Sequence, residues 1–164
     1  MNKSTKLFWI IASITIGWLL LMRPFTPTNI VQFELAKTIP AARQIIDDWG
    51  VNGISNARLS IYLDFVFAFL YAWAISLGSK VATAFSSNKN LINAGDFFSR
   101  VIWFAGSCDI VENVAMLFTL SSLNELTISM AYYFAIIKFV IVLTALLLIV
   151  IAFGLGFFKF LLRD

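Results

Sequence analysis

The chain is 164 residues long, 60% apolar and only 13% charged, with 17 Phe, 5 Trp and a formal net charge of +3. A water-soluble domain runs nearer about 45–50% apolar and about 25% charged, so this composition argues for a membrane. One cysteine, Cys108, and no histidine exclude a disulfide scaffold, thiol-pair redox chemistry, His-ligated haem, the common zinc sites and every His-based triad, and no cofactor is implied.

The first apolar run, 7–22, is one of four long enough to cross about 30 Å of hydrocarbon. Lys6 and Arg23 flank it and reach the interfaces with their long side chains. Lys3 and Lys6 ahead of an apolar run also suit a secretory leader. However, Met22-Arg23-Pro24-Phe25 offers no small-x-small cleavage site, so the run is expected to remain as a helix. The connection that follows, with helical character over 28–50, has structure of its own. After Pro24 and Pro27, residues 28–37 suit a short helix. Thr38 then suits an N-cap, with Pro40 in the first turn and Gly50 just past the C-terminus. Ile39, Ala42, Ile46 and Trp49 recur at helical spacing with Ile45 beside them, while Arg43, Asp47 and Asp48 supply a polar side. Such a helix lies in the interface or across the mouth of a bundle, either as a plain cover or as a lid over a site.

The second span, 59–77, carries Asp64, and Ser60, Asp64, Phe67 and Tyr71 form a stripe along it. Residues 79–100 suit a polar connection, in which Asp96 and Arg100 make a routine i, i+4 pair. The third span, 101–120, carries Asp109, Glu112, Asn113 and Met116 on one helix face. Cys108 beside them has no basic partner at helical spacing and is expected to pack rather than react. The fourth span, 130–158, contains Lys138 and is longer than a bilayer requires, so it tilts or projects. Its stripe of Ala131, Ala135, Lys138, Val142 and Ala145 is small enough for close helix approach. The predicted fold is all-α: a single domain of four transmembrane helices with an amphipathic helical segment after the first.

Orientation follows from lysine and arginine counts. Lys3, Lys6, Lys80, Lys89, Arg100, Lys159 and Arg163 fall on one side, against Arg23, Lys37, Arg43 and Arg58 on the other. This bias places both termini in the cytoplasm. The basic residues are too scattered for a nucleic-acid footprint. The expected partners are membrane lipids, with further copies of the chain if the site is a pore, or another membrane protein if the chain is an accessory subunit.

The chemistry lies in the ionisable residues within the spans. Each charge at a helix centre costs about 2.5–3.5 kcal/mol to insert, so such groups face inward and pair. At helical rise Asp64 lies about 8 Å and Lys138 about 12 Å below the outer ends of their spans. Asp109 and Glu112 sit near the middle of theirs. Depth and helix phase thus predict one shared site of Asp64, Asp109, Glu112, Asn113 and Lys138, with Tyr71 on the same stripe as Asp64. Three carboxylates face one ammonium. Full ionisation leaves two uncompensated negative charges, so a carboxylate holds a proton or a cation occupies the site. Alternatively, the network only fixes helix register, with Asn113 satisfying spare lone pairs.

Phe33-Glu34-Leu35-Ala36 in the loop, Leu63-Asp64-Phe65 in the second span and Asp109-x-x-Glu112-Asn113 in the third resemble a family of small bacterial four-helix membrane proteins. The resemblance implies the four-helix topology, a bacterial inner-membrane location and a unit of Asp64, Asp109, Glu112 and Asn113. It implies no activity. Three functions remain open at this point: a module that binds or translocates a cation, a proton or a lipid head group; an intramembrane acid/base enzyme acting on a lipid; or an accessory subunit with no ligand.

Overall fold

The computed structural model describes residues 3–84, 86 and 88–161. In chain order the elements are α1 (Lys3–Met22), a 3-10 turn (Arg23–Phe25), α2 (Ile30–Glu34), α3 (Ile39–Thr83), α4 (Lys89–Ser121) and α5 (Glu125–Leu161). Four helices are long and apolar enough to cross a membrane, and there is no strand among the described residues. The fold is the expected all-α bundle.

Local chemistry sets the boundaries. Pro24 falls in the 3-10 turn that ends α1, and the Thr26 hydroxyl donates back to the Met22 carbonyl at 3.1 Å. The Thr38 side chain accepts from the Ala41 amide at 3.4 Å and so caps the start of α3. Gly50 has φ 58° and ψ −171°, a break inside α3 that a side chain would disfavour. The residue expected to end the amphipathic helix therefore bends it into the second span. Asn88 caps α4 by accepting from the Asn90 amide at 2.9 Å. Arg58 closes the far end of α4, donating to the Leu120 carbonyl at 3.1 Å.

Three helices form the centre, with α3, α4 and α5 packed on one another and α1 held on α3. Trp18 Nε1 donates to the Leu63 carbonyl at 3.0 Å and Thr15 Oγ1 to the Leu70 carbonyl at 3.2 Å. Thr26 and Ser60 share a hydroxyl bond of 3.0 Å. Residues 39–49 lie over the loop end of the bundle. Ala42 is fully buried there, and Ile39, Ile45, Ile46 and Trp49 pack against a core of Phe33, Ala36, Ile61, Met116 and Ile128. Trp49 Nε1 also donates to the Asn29 side chain.

The structure revises three local expectations. The helix expected over 28–37 is confined to Ile30–Glu34. Residues 79–100 are not a polar connection: α3 continues to Thr83 and α4 begins at Lys89. At this crossing the Ser76, Thr83 and Ser99 hydroxyls bond to helix backbone instead of to water. Ser76 Oγ donates to the Ser99 carbonyl at 2.7 Å, and Thr83 Oγ1 to the Ser79 carbonyl at 2.8 Å. Gly95 makes this contact sterically feasible, because a Cβ there would lie 2.1 Å from Thr83 Oγ1 and 2.8 Å from the Ser79 carbonyl. Finally, the ion pairs among the described residues all involve Lys138, and Asp96–Arg100 is not one of them.

Candidate functional site

The stripes read from the sequence face inward. Asp109, Glu112, Asn113 and Met116 are all buried on α4, as are Ala131, Ala135, Lys138 and Ala145 on α5. Cys108 is buried beside them. The Lys138 ammonium donates to Asp109 Oδ1 at 2.9 Å and lies 2.7 Å from Glu112 Oε2. The second contact is an ion pair without hydrogen-bond alignment, and both carboxylate oxygens of Glu112 lack a hydrogen-bond partner although the residue is 0% exposed.

The expected convergence is only partly met. Asp64 is not among the ion-pair partners of Lys138; its Oδ2 accepts instead from Asn113 Nδ2 at 2.8 Å. The cause is helix phase. Successive residues turn by about 100° around a helix axis, so α4 presents Asp109 and Glu112 towards α5 and Asn113 towards α3. The site therefore comprises two adjoining units, Lys138–Asp109–Glu112 and Asn113–Asp64.

A fourth carboxylate joins them from outside the spans. Glu34, the last residue of α2, brings Oε2 to 3.8 Å from the Lys138 ammonium. Burial pushes the Glu34 carboxyl above its usual 4.5, and attraction to Lys138 opposes that rise. Sequence reasoning left Glu34 out of the candidate residues because it lies in the loop. One signal was available: it is the only acid between Arg23 and Ile46, set between Phe33 and Leu35. Buried Phe33 packs at a tilt against Trp49 with ring centroids 5.0 Å apart, which fixes α2 over the cluster.

Two cavities meet at these residues. One, of about 390 Å³, runs between α1 and α5 along α3, with Thr15, Phe67, Ile75, Val142 and Leu146 among its walls. Glu34, Asp64, Asp109 and Lys138 also line it. Tyr71 lines the same cleft; it is 8% exposed and its hydroxyl has no hydrogen-bond partner. The second cavity, of about 410 Å³, lies towards the loop end and is lined by Leu19, Arg23, Ser60 and Asn113 among others. Glu34, Asp64 and Phe67 belong to both. Residues 39–49 line neither, so the amphipathic helix covers the bundle without entering these cavities.

At the terminal end the groove is filled. A Cβ on Gly78 would lie 2.9 Å from the Phe8 ring and 3.1 Å from Ile149 Cδ1, so α1 and α5 both press on α3 there. Among the described residues, no group of three or more His, Cys, Asp or Glu is arranged to hold a metal ion. The Lys138 ammonium takes the position between the carboxylates that a cation would need.

No protein-family model matches the chain, and no curated protein or solved structure does so either.

Proposed function

We propose that this is an integral membrane protein whose α1–α5 cleft receives an amphiphilic molecule from the bilayer and holds its head group at the carboxylate–lysine cluster. The observation that carries this reading is the cleft itself: walls of Phe67, Ile75, Val142 and Leu146 lead to Glu34, Asp64, Asp109 and Lys138. Apolar walls with a few convergent polar groups characterise small-molecule sites. The partnerless Tyr71 hydroxyl on the wall supports a polar guest, because a buried hydroxyl left unbonded costs free energy. Packing of Phe8 and Ile149 against Gly78 closes the groove at the terminal end. That favours a binding pocket over a through-pore for a cation or proton.

The test is native mass spectrometry of protein purified from membranes in mild detergent. The parent retains an amphiphile, and Val142→Trp, which fills the cleft wall, loses it while remaining folded. Retention unchanged in Val142→Trp contradicts the reading. The basic-residue bias supports an orientation with both termini in the cytoplasm, and the motif resemblance supports a bacterial inner membrane. Cysteines at Lys89 and Asn52 check this: the first is labelled only from the cytoplasm and the second only from outside.

A further inference from the structure

The residues common to both cavities are Glu34, Asp64 and Phe67. Two carboxylates beside an aromatic ring form a set of acceptors suited to a positively charged donor. We propose that these three residues form a seat for an alkylammonium head group, so that the guest of the cleft is an amine-headed amphiphile. The proposal rests on the cleft being a ligand site, and it adds the chemistry of the head group.

The argument is a balance of donors and acceptors. Lys138 has three N–H donors, and three carboxylate oxygens surround it, from Asp109 at 2.9 Å, Glu112 at 2.7 Å and Glu34 at 3.8 Å. Its charge is committed to the two nearer acids. Glu34 Oε2 is buried with no hydrogen-bond partner. Asp64 has one bond, from the neutral amide of Asn113, and no ion-pair partner among the described residues. Among the described residues Lys138 is the only Lys or Arg lining the α1–α5 cleft, while Arg23 lines the second cavity.

An anionic head group would meet three carboxylates, those of Glu34, Asp64 and Asp109, and a lysine already engaged. A neutral hydroxyl would gain hydrogen bonds but leave the excess negative charge uncompensated. An ammonium supplies both the missing donors and the missing charge, and charge-assisted bonds to carboxylates are about twice as strong as neutral ones. The Phe67 face adds a cation–π wall. The Tyr71 hydroxyl, 8% exposed and without a partner on the same cleft, offers one further acceptor.

Three probes of equal chain length test this on protein purified in maltoside detergent: dodecylammonium, dodecanol and dodecyl phosphate. Binding is read by competition with the retained native amphiphile and by intrinsic tryptophan fluorescence. Dodecylammonium binds the parent at least about tenfold more tightly than either other probe. Asp64→Asn and Glu34→Gln each weaken it by about tenfold, the scale of one charged hydrogen bond. Phe67→Leu, which leaves the charges in place, weakens it about threefold and serves if a carboxylate variant does not fold. Dodecanol binding is unchanged in all three variants.

Equal binding of dodecanol and dodecylammonium, or tighter binding of dodecyl phosphate, overturns the ammonium seat and leaves the cleft as a lipid site. Binding of none of the three overturns the cleft reading as well. Amine derivatisation of the retained lipid identifies the source. A labelled lipid assigns the amine to the bilayer, whereas dodecylammonium binding with no labelled lipid assigns it to a free alkylamine, and both support the seat.

Discussion

Two helix pairs in this molecule are each long and apolar enough to cross a membrane and yet end up packed in opposite ways. Along the α3–α4 seam, Ala68, Ala72, Ser79 and Thr83 meet Gly95, Ser99, Ala105 and Gly106, every one of the non-glycines under 4% exposed. A Cβ on Gly106 would already lie 3.3 Å from Ala72 Cβ. Between α1 and α5, by contrast, the facing residues are Thr15, Val142 and Leu146, and a cleft of about 390 Å³ remains. In lipid there is no hydrophobic drive to close such a gap, and close packing of small residues is what joins helices. The seam has those residues along its length. The flank has a glycine contact only at Gly78, which is where α1 and α5 close together. Side-chain size thus separates a scaffold from a pocket within one bundle, and the buried charges lie where the two meet.

The comparison yields predictions of decreasing size. The largest concerns the charge network joining scaffold to pocket. Lys138→Met leaves Asp109 and Glu112 without their cation and destabilises the protein by about 3–5 kcal/mol. Glu112→Gln is neutral or stabilising, because Lys138 keeps its bond to Asp109. Thermal unfolding in detergent compares the two, and equal losses would mean that Glu112 is needed for the fold.

Next comes the seam itself. Gly95→Ala places a methyl group against the Ser79 carbonyl and Thr83 Oγ1 and lowers stability by about 1–3 kcal/mol. Its counterpart on the flank behaves differently: a Cβ on Gly17 of α1 meets nothing within 4 Å, so Gly17→Ala raises stability by about 0.5–1 kcal/mol through helix propensity alone. Similar losses from both substitutions would erase the distinction between tight seam and loose flank.

The smallest effect is a pH dependence at Glu34. Its carboxyl is raised above 4.5 by burial, with Lys138 opposing and Asp109 reinforcing the rise. The folded state therefore holds the Glu34 proton more tightly than the unfolded chain does. Stability contributed by that proton is present at low pH and fades as pH climbs from 4.5 through the raised value. Glu34→Gln should gain on the parent over this range, as seen in paired melting curves, whereas a constant difference would leave Glu34 uninvolved.

Much of this architecture was legible in the residues. Apolar run length gave four helices, Thr38 and Gly50 marked a cap and a break, and helix phase turned Asp109, Glu112 and Lys138 inward. Two things were not legible, for a common reason. Depth and phase locate a residue on its own helix but do not say which neighbour it meets, so Asp64 was expected at Lys138 and is found at Asn113. Glu34 lies in a loop whose path depends on Phe33 packing against Trp49, a contact that no periodicity within 28–37 encodes. The seam over 79–100 was missed because Ser, Thr and Gly mark both polar loops and close helix crossings. Backbone approach distinguishes the two, and it exists only once α3 and α4 are paired.

The central claim is that the α1–α5 cleft is an occupied site rather than a packing defect. A crystal structure grown from a lipid mesophase, with no probe added, tests it most directly. The account predicts elongated density between Thr15 and Val142 that ends within hydrogen-bond distance of Glu34 and Asp64. A cleft closed by Val142 and Leu146 packing directly on α1, with no density beside the carboxylates, would contradict it.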